Sequence, residues 1–309
     1  MVAAVIDYDE FGLFQENIDE FDLQRGLPTV ERVETVLRSD GRRVSALRWG
    51  TEPPEIVFVH GGAQNAHTWD TVALCLDRPA LAVDLPGHGH SDWRDDGRYS
   101  PTGMSDDLAE VVSRWAPDAQ LVVGMSLGGL TAMELAARHG QLVRSLVMVD
   151  ITPGVNAAKT KAVTDFVDGP QSFAGFDELL ARTMEHNPTR TESSLRRGIL
   201  HNARQLEDGS WQWRYDRGSH ARRSAGDASS PLDENALSPL WDDFAAIACP
   251  VMLVRGSLSP VVDDEDVAEA RRRQPGVVVE VVDGAGHSVQ GDRPVELAGL
   301  LAGRLGRQS

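Results

Sequence analysis

The sequence predicts an α/β fold, a mostly parallel sheet with helices on both faces. Three observations carry that expectation. Short apolar runs alternate with stretches of helical spacing through most of the chain. The alternation breaks off between about residues 154 and 240 and then resumes. One tight glycine turn, "GMSLGG", joins a buried strand to an amphipathic helix.

Residues 1–32 are acidic with scattered Phe and Leu, and read as an N-terminal extension. "VETVLR" and "VSALRWG" then flank the turn "SDGR", a pattern that predicts an antiparallel hairpin. The later runs "IVFVHGG", "ALAVDLPG", "LVVGMS", "SLVMVD", "VMLVRG" and "VVVEVVDG" are strands without alternation, as expected when both faces of a sheet are covered. Stretches such as "SPTGMSDDLAEVVSRWA" and "VDDEDVAEARRRQ" between them have helical spacing and charged faces. The core is therefore read as residues 33–153 and 240–309, with 154–239 a mainly helical insertion. The ligand site of an open parallel sheet lies beyond the C-terminal strand ends, where such an insertion can roof it as a cap. Trp211, Trp213 and Tyr215 alternate at strand spacing and read as residues that pack the cap on the core.

The 309 residues carry a net charge of −17, which argues against nucleic acid or an anionic membrane as partner. Cys75 and Cys249 lie far apart and suit small core residues of a reducing compartment. The acidic N-terminus has no basic signal region, and the best apolar run, around Ser126, is broken by glycines and polar residues. A cytoplasmic location follows as an expectation.

"GMSLGG" is G-x-S-x-G in the strand–turn–helix context that the motif requires. A turn this tight strains the serine backbone, and Gly124 and Gly128 relieve crowding on either side. Ser126 is thereby a candidate nucleophile. "HGG" at 60–62 ends an earlier strand with small residues, so Gly62 and Leu127 are candidate donors of a two-N–H oxyanion hole. His287, in "GAGHS" after the last strand, is placed to reach back to the serine.

Together the "HGG", "DLPGHGHSD", "GMSLGG" and "GAGHS" segments resemble the α/β-hydrolase family over roughly residues 33–154 and 240–305. The resemblance implies an eight-stranded sheet with a cap between strands six and seven. It also implies a serine nucleophile, a histidine base and a carboxylate that orients the histidine. That acid is usually found shortly after strand seven, where this chain has Ser259 and Pro260. Two carboxylates remain. Asp263 is in the same loop, although it also suits the N-terminus of the helix that follows. Asp150 ends strand six beside the nucleophile strand, and is the residue we favour on geometry.

The expected activity is hydrolysis of a carboxylic ester, or a related acyl compound, through an acyl-enzyme on Ser126 with no cofactor. The alternatives are a carbon–carbon bond hydrolase, a lactonase or a thioesterase on the same triad, and a small-molecule receptor on a hydrolase fold. His88, His90 and Asp92 form an H-x-H-x-D string reminiscent of metallohydrolases, but Trp93 follows where their further histidine is expected. No metal is expected.

Overall fold

The computed structural model describes residues 8–217 and 240–306. An eight-stranded sheet forms its centre. In spatial order the strands are β1 (Val30–Val36), β2 (Arg43–Trp49), β4 (Ala80–Val83), β3 (Ile56–Val59), β5 (Leu121–Met125), β6 (Leu146–Val149), β10 (Val251–Gly256) and β11 (Val278–Val282). Strand β2 is antiparallel to both its neighbours, and all other pairs are parallel. The hairpin read from "SDGR" is β1–β2, closed by Val36 opposite Arg43.

Every residue of β3, β4, β5 and β6 is buried. Side chains alternate between the two faces, so an unbroken apolar run feeds two separate cores. Val57 and Val59 join one cluster with Met104, Leu108, Leu130 and Leu135, from the helices Pro101–Trp115 and Leu127–Arg138. Ile56 and Phe58 join the other with Leu74, Leu297 and Leu301, from Asp70–Leu76 and Pro294–Gly306. The helix Pro101–Trp115 begins where its sequence says it should. Ser100 Oγ accepts from Gly103 N–H, and Pro101 occupies the first turn, where a missing N–H costs no bond.

The N-terminal segment is part of this packing. A short helix, Phe14–Glu20, sends Phe14 and Ile18 into the second cluster, and the Phe14 ring lies 4.9 Å from that of Trp49. Between β6 and β10 the chain leaves the sheet. It forms helices Ala157–Val167, Phe176–His186 and Glu192–Asn202, and a small sheet in which β9 (Trp211–Trp213) lies between β7 (Ser172–Phe173) and β8 (Ala203–Gln205). Trp211 and Trp213 are buried in a third cluster that belongs mostly to this segment. Tyr215 also faces His88 of the core, ring to ring at 6.5 Å. The expected end of the insertion at 239 falls outside the described residues. Cys75 and Cys249 are half-buried free thiols rather than full core residues. No helix among the described residues is long and apolar enough to cross a membrane.

Candidate active site

Strands β5, β6, β10 and β11 are consecutive neighbours, so the loops leaving their C-terminal ends meet at one edge of the sheet. The turn after β5 holds Ser126 at φ 51° and ψ −122°, a conformation that L-residues adopt only under constraint. Its N–H donates to Val149 O at 3.1 Å, tying the turn to β6. The surrounding glycines are obligatory. A Cβ on Gly128 would lie 2.3 Å from His60 O and 2.4 Å from Val59 O; one on Gly124 would lie 2.3 Å from Gly128 O.

Asp150 follows β6 directly and is also left-handed, at φ 50°. Its side chain has no solvent exposure. A buried carboxylate needs donors, and Asp150 has three. Gly256 N–H donates to Oδ1 at 3.1 Å, His287 Nδ1 lies 2.8 Å from Oδ2, and the Ser259 hydroxyl donates to the same oxygen. On its other side His287 presents Nε2 at 3.1 Å from Ser126 Oγ. An ionised carboxylate only accepts, so Nδ1 carries the ring proton and Nε2 is left as an acceptor toward the serine. Serine, histidine and aspartate thus form one hydrogen-bonded chain across the sheet edge.

The "HGG" loop abuts this chain. A Cβ on Gly61 would come 2.5 Å from Met125 Sδ and 3.2 Å from Ser126 Cβ, and one on Gly62 would come 3.9 Å from Leu127 Cδ2. Gly62 therefore lies beside the Leu127 side chain, next to Ser126. Leu127 is the first residue of its helix, whose N–H has no partner within the helix. His60 is a structural residue: Nδ1 lies 2.7 Å from Gly61 O, and Nε2 accepts from Leu85 N–H at 2.9 Å. Burial, with His88 nearby, lowers its pKa to about 3, so it stays neutral.

The other candidates lie elsewhere. Asp263 caps the helix Asp264–Arg273 in a reciprocal capping box with Asp266, and pairs with Lys159 at 2.9 Å. No hydrogen bond joins it to His287 among the described residues. His88, His90 and Asp92 do not converge. His88 Nε2 accepts from Ala63 N–H at 3.1 Å, His90 donates its backbone N–H to Asp84, and Asp92 pairs with Arg43.

Among the described residues, one group of possible metal ligands brings its donor atoms within 4.8 Å of one another: His67, Asp70 and His201. Both nitrogens of His67 are already engaged, Nδ1 with Asp70 at 2.9 Å and Nε2 with Glu10 at 3.1 Å. The His67 and His201 rings stack face to face, with centroids 3.7 Å apart and planes 6° apart. Ligand lone pairs lie in the ring plane, so those of stacked rings run parallel and cannot converge on one ion. The geometry suits a buried proton-holding network. Burial alone would lower the His67 pKa, but Asp70 and Glu10 outweigh it and push it up to about 9.

Sequence reasoning missed Ser259 as a partner of the acid, and missed the link from Glu10 to His67. The first had a signal, a hydroxyl in the loop where an acid is expected. The second had none, because it joins residues 57 positions apart.

The fold and this constellation define an α/β hydrolase. The chain belongs to the alpha/beta hydrolase family, whose model matches residues 56–300. It is 46% identical over 304 residues to Esterase Rv0045c of Mycobacterium tuberculosis, covering 96% of each chain. A 3-hydroxybutyrate-oligomer hydrolase of Cupriavidus necator is 28% identical over 286 residues, 88% of this chain and 96% of that one. The crystal structure of esterase Rv0045c from Mycobacterium tuberculosis superposes with a TM-score of 0.83 at 44% identity, covering 98% of this chain and 100% of that one.

Proposed function

We propose that the protein is a serine hydrolase of carboxylic esters that works through an acyl-enzyme on Ser126. The single observation that supports it most is the hydrogen-bonded succession of Asp150, His287 and Ser126, with 2.8 and 3.1 Å between successive groups. The likeness to an esterase over nearly the whole chain favours an ester over the carbon–carbon, lactone and thioester alternatives. In this reading His287 Nε2 takes the Ser126 proton as Oγ attacks the carbonyl carbon. The carbonyl oxygen becomes an anion between the N–H groups of Gly62 and Leu127. Asp150 keeps His287 in the tautomer with Nδ1 protonated and stabilises the imidazolium. That imidazolium then protonates the leaving alcohol. Water, deprotonated by the same nitrogen, attacks the acyl carbon, and His287 returns that proton to Ser126 Oγ as the acyl bond breaks, which releases the acid and restores the free serine. The insertion between β6 and β10 acts as the cap over the substrate.

The test is p-nitrophenyl butyrate hydrolysis and fluorophosphonate labelling of the wild type and of Ser126→Ala. Turnover and labelling in the wild type, both lost in a folded Ser126→Ala, are the expected results. Labelling without turnover on a panel of esters would favour the receptor reading, and turnover that survives Ser126→Ala would end the nucleophile assignment.

A further inference from the structure

The loop after β10 is where the family resemblance leads one to expect an acid, and it carries a hydroxyl aimed at an acid from elsewhere. Ser259 Oγ donates to Asp150 Oδ2, the same oxygen that faces His287. The hydroxyl oxygen is itself held in place. Val261 N–H donates to Ser259 Oγ at 3.2 Å, occupying a lone pair and leaving the O–H to point outward. Pro260 lies between them and fixes the backbone of this small turn.

The turn is itself anchored. Ser257 N–H donates to Val282 O at 3.0 Å, Leu258 N–H to Ala285 O at 2.9 Å, and Ser259 N–H to Gly256 O at 3.2 Å. The first two bonds link it to β11 and to the glycine loop that presents His287. Gly256 makes the approach possible, since a Cβ there would sit 2.3 Å from Gly286 O. The donor to the carboxylate and the imidazole it orients are thus held by one rigid assembly.

We infer that Ser259 is a positioning residue of the hydrolase: through Asp150 it sets the orientation and basicity of His287. This rests on the triad reading given above. The chemistry follows from the donor count. Two fixed donors on Oδ2 and one on Oδ1 leave the buried carboxylate a single orientation, with Oδ2 toward Nδ1. The Ser259 proton also draws charge from Oδ2, so the carboxylate attracts the imidazolium less strongly than a bare one would. Without the hydroxyl, His287 is held more loosely and gains basicity.

The experiment compares wild type, Ser259→Ala and Ser259→Thr in pre-steady-state and steady-state hydrolysis of p-nitrophenyl butyrate across pH, with folding checked by circular dichroism. In Ser259→Ala, kcat falls about tenfold, the loss that one hydrogen bond to a charged group predicts, while KM changes little. The acidic limb of kcat/KM, which reports neutral His287, moves to higher pH. Ser259→Thr keeps the donor and restores both. A Ser259→Ala enzyme with wild-type kcat and an unmoved pH profile overturns the inference, as does a fall in kcat that Thr fails to rescue in a folded protein. Ser126→Ala separates the levels of the argument. If it stays active, the triad reading falls and the positioning role falls with it. If it is inactive while Ser259→Ala behaves as wild type, only the positioning role is lost.

Discussion

Replacing Asp150 with Asn tests the triad at the point where the geometry is most exacting. The carboxamide has one acceptor and one donor end, and the surroundings choose between them. Gly256 N–H, 3.1 Å from Oδ1, needs an acceptor. A backbone N–H cannot reverse its role, whereas the Ser259 hydroxyl can rotate to accept and His287 can change tautomer, so the NH₂ group occupies the Oδ2 position, 2.8 Å from His287 Nδ1 and next to Ser259 Oγ. A donor there forces Nδ1 to accept, so the ring proton moves to Nε2. That nitrogen then donates toward Ser126 Oγ instead of taking its proton, and the nucleophile loses its base. No developing charge on the ring is stabilised either. Wrong-tautomer substitutions of this kind in serine triads cost on the order of 10⁴ in kcat, about 5.5 kcal/mol of transition-state stabilisation. The assay is burst and steady-state hydrolysis of p-nitrophenyl butyrate by folded wild type and Asp150→Asn. KM should change little, because Asp150 is sealed from the cleft. A variant within tenfold of wild type would refute the reasoning and send the search for the acid back to Asp263.

Other outcomes follow from the same contacts. Gly128→Ala drives a Cβ into two backbone carbonyls at 2.3 and 2.4 Å, neither able to move independently. It should lower the melting temperature by the equivalent of about 3 kcal/mol and abolish fluorophosphonate labelling; a labelled, stable variant would contradict the elbow geometry. Glu10→Gln weakens the link to His67 and Arg32. Burial alone would raise the Glu10 carboxyl, but hydrogen bonds from His67 and Arg32 bring it down to about 2, against 4.5 unfolded. Its contribution is thus present above pH 4.5 and lost as pH falls through 2. His67, raised from 6.5 to about 9, contributes fully below 6.5 and loses its contribution as pH rises through 9. The stability gap between wild type and Glu10→Gln should be widest between these windows, at about 1–3 kcal/mol in denaturant titrations, and should narrow on both sides; a gap that is flat from pH 4 to 10 refutes the network. Glu20 accepts from Arg197 and from Thr191, the latter at 2.6 Å, so Glu20→Gln should lower hydrogen-exchange protection of Glu192–Asn202 relative to the core sheet.

How far the site could be read from sequence depended on the range of the interaction behind each residue. The elbow is legible because its requirement is local: a strand, a strained serine and glycines two positions away all fall within eight residues. The capping role of Asp263 is legible for the same reason, since its partner Asp266 is three residues on. His287 could be placed by chain order alone, as the end of the last strand must open at the same sheet edge as the end of β5. The acid needed one more step. Asp150 could be preferred only by supposing that β6 lies beside β5 and that β10 follows it, which the sheet order bears out. At that same step the sequence reading of the β10 loop stopped at charge. Ser259 and Pro260 cannot be anions, but a carboxylate on β6 enters a buried corner where it needs donors, and the loop after β10 supplies one of them. The absence of an acid and the presence of a hydroxyl at 259 are therefore one fact. Glu10 and His67 offered no such route. They meet through an N-terminal segment whose path is set by Phe14 and Ile18 in the core, and no periodicity in an acidic, irregular stretch reports where it will lie.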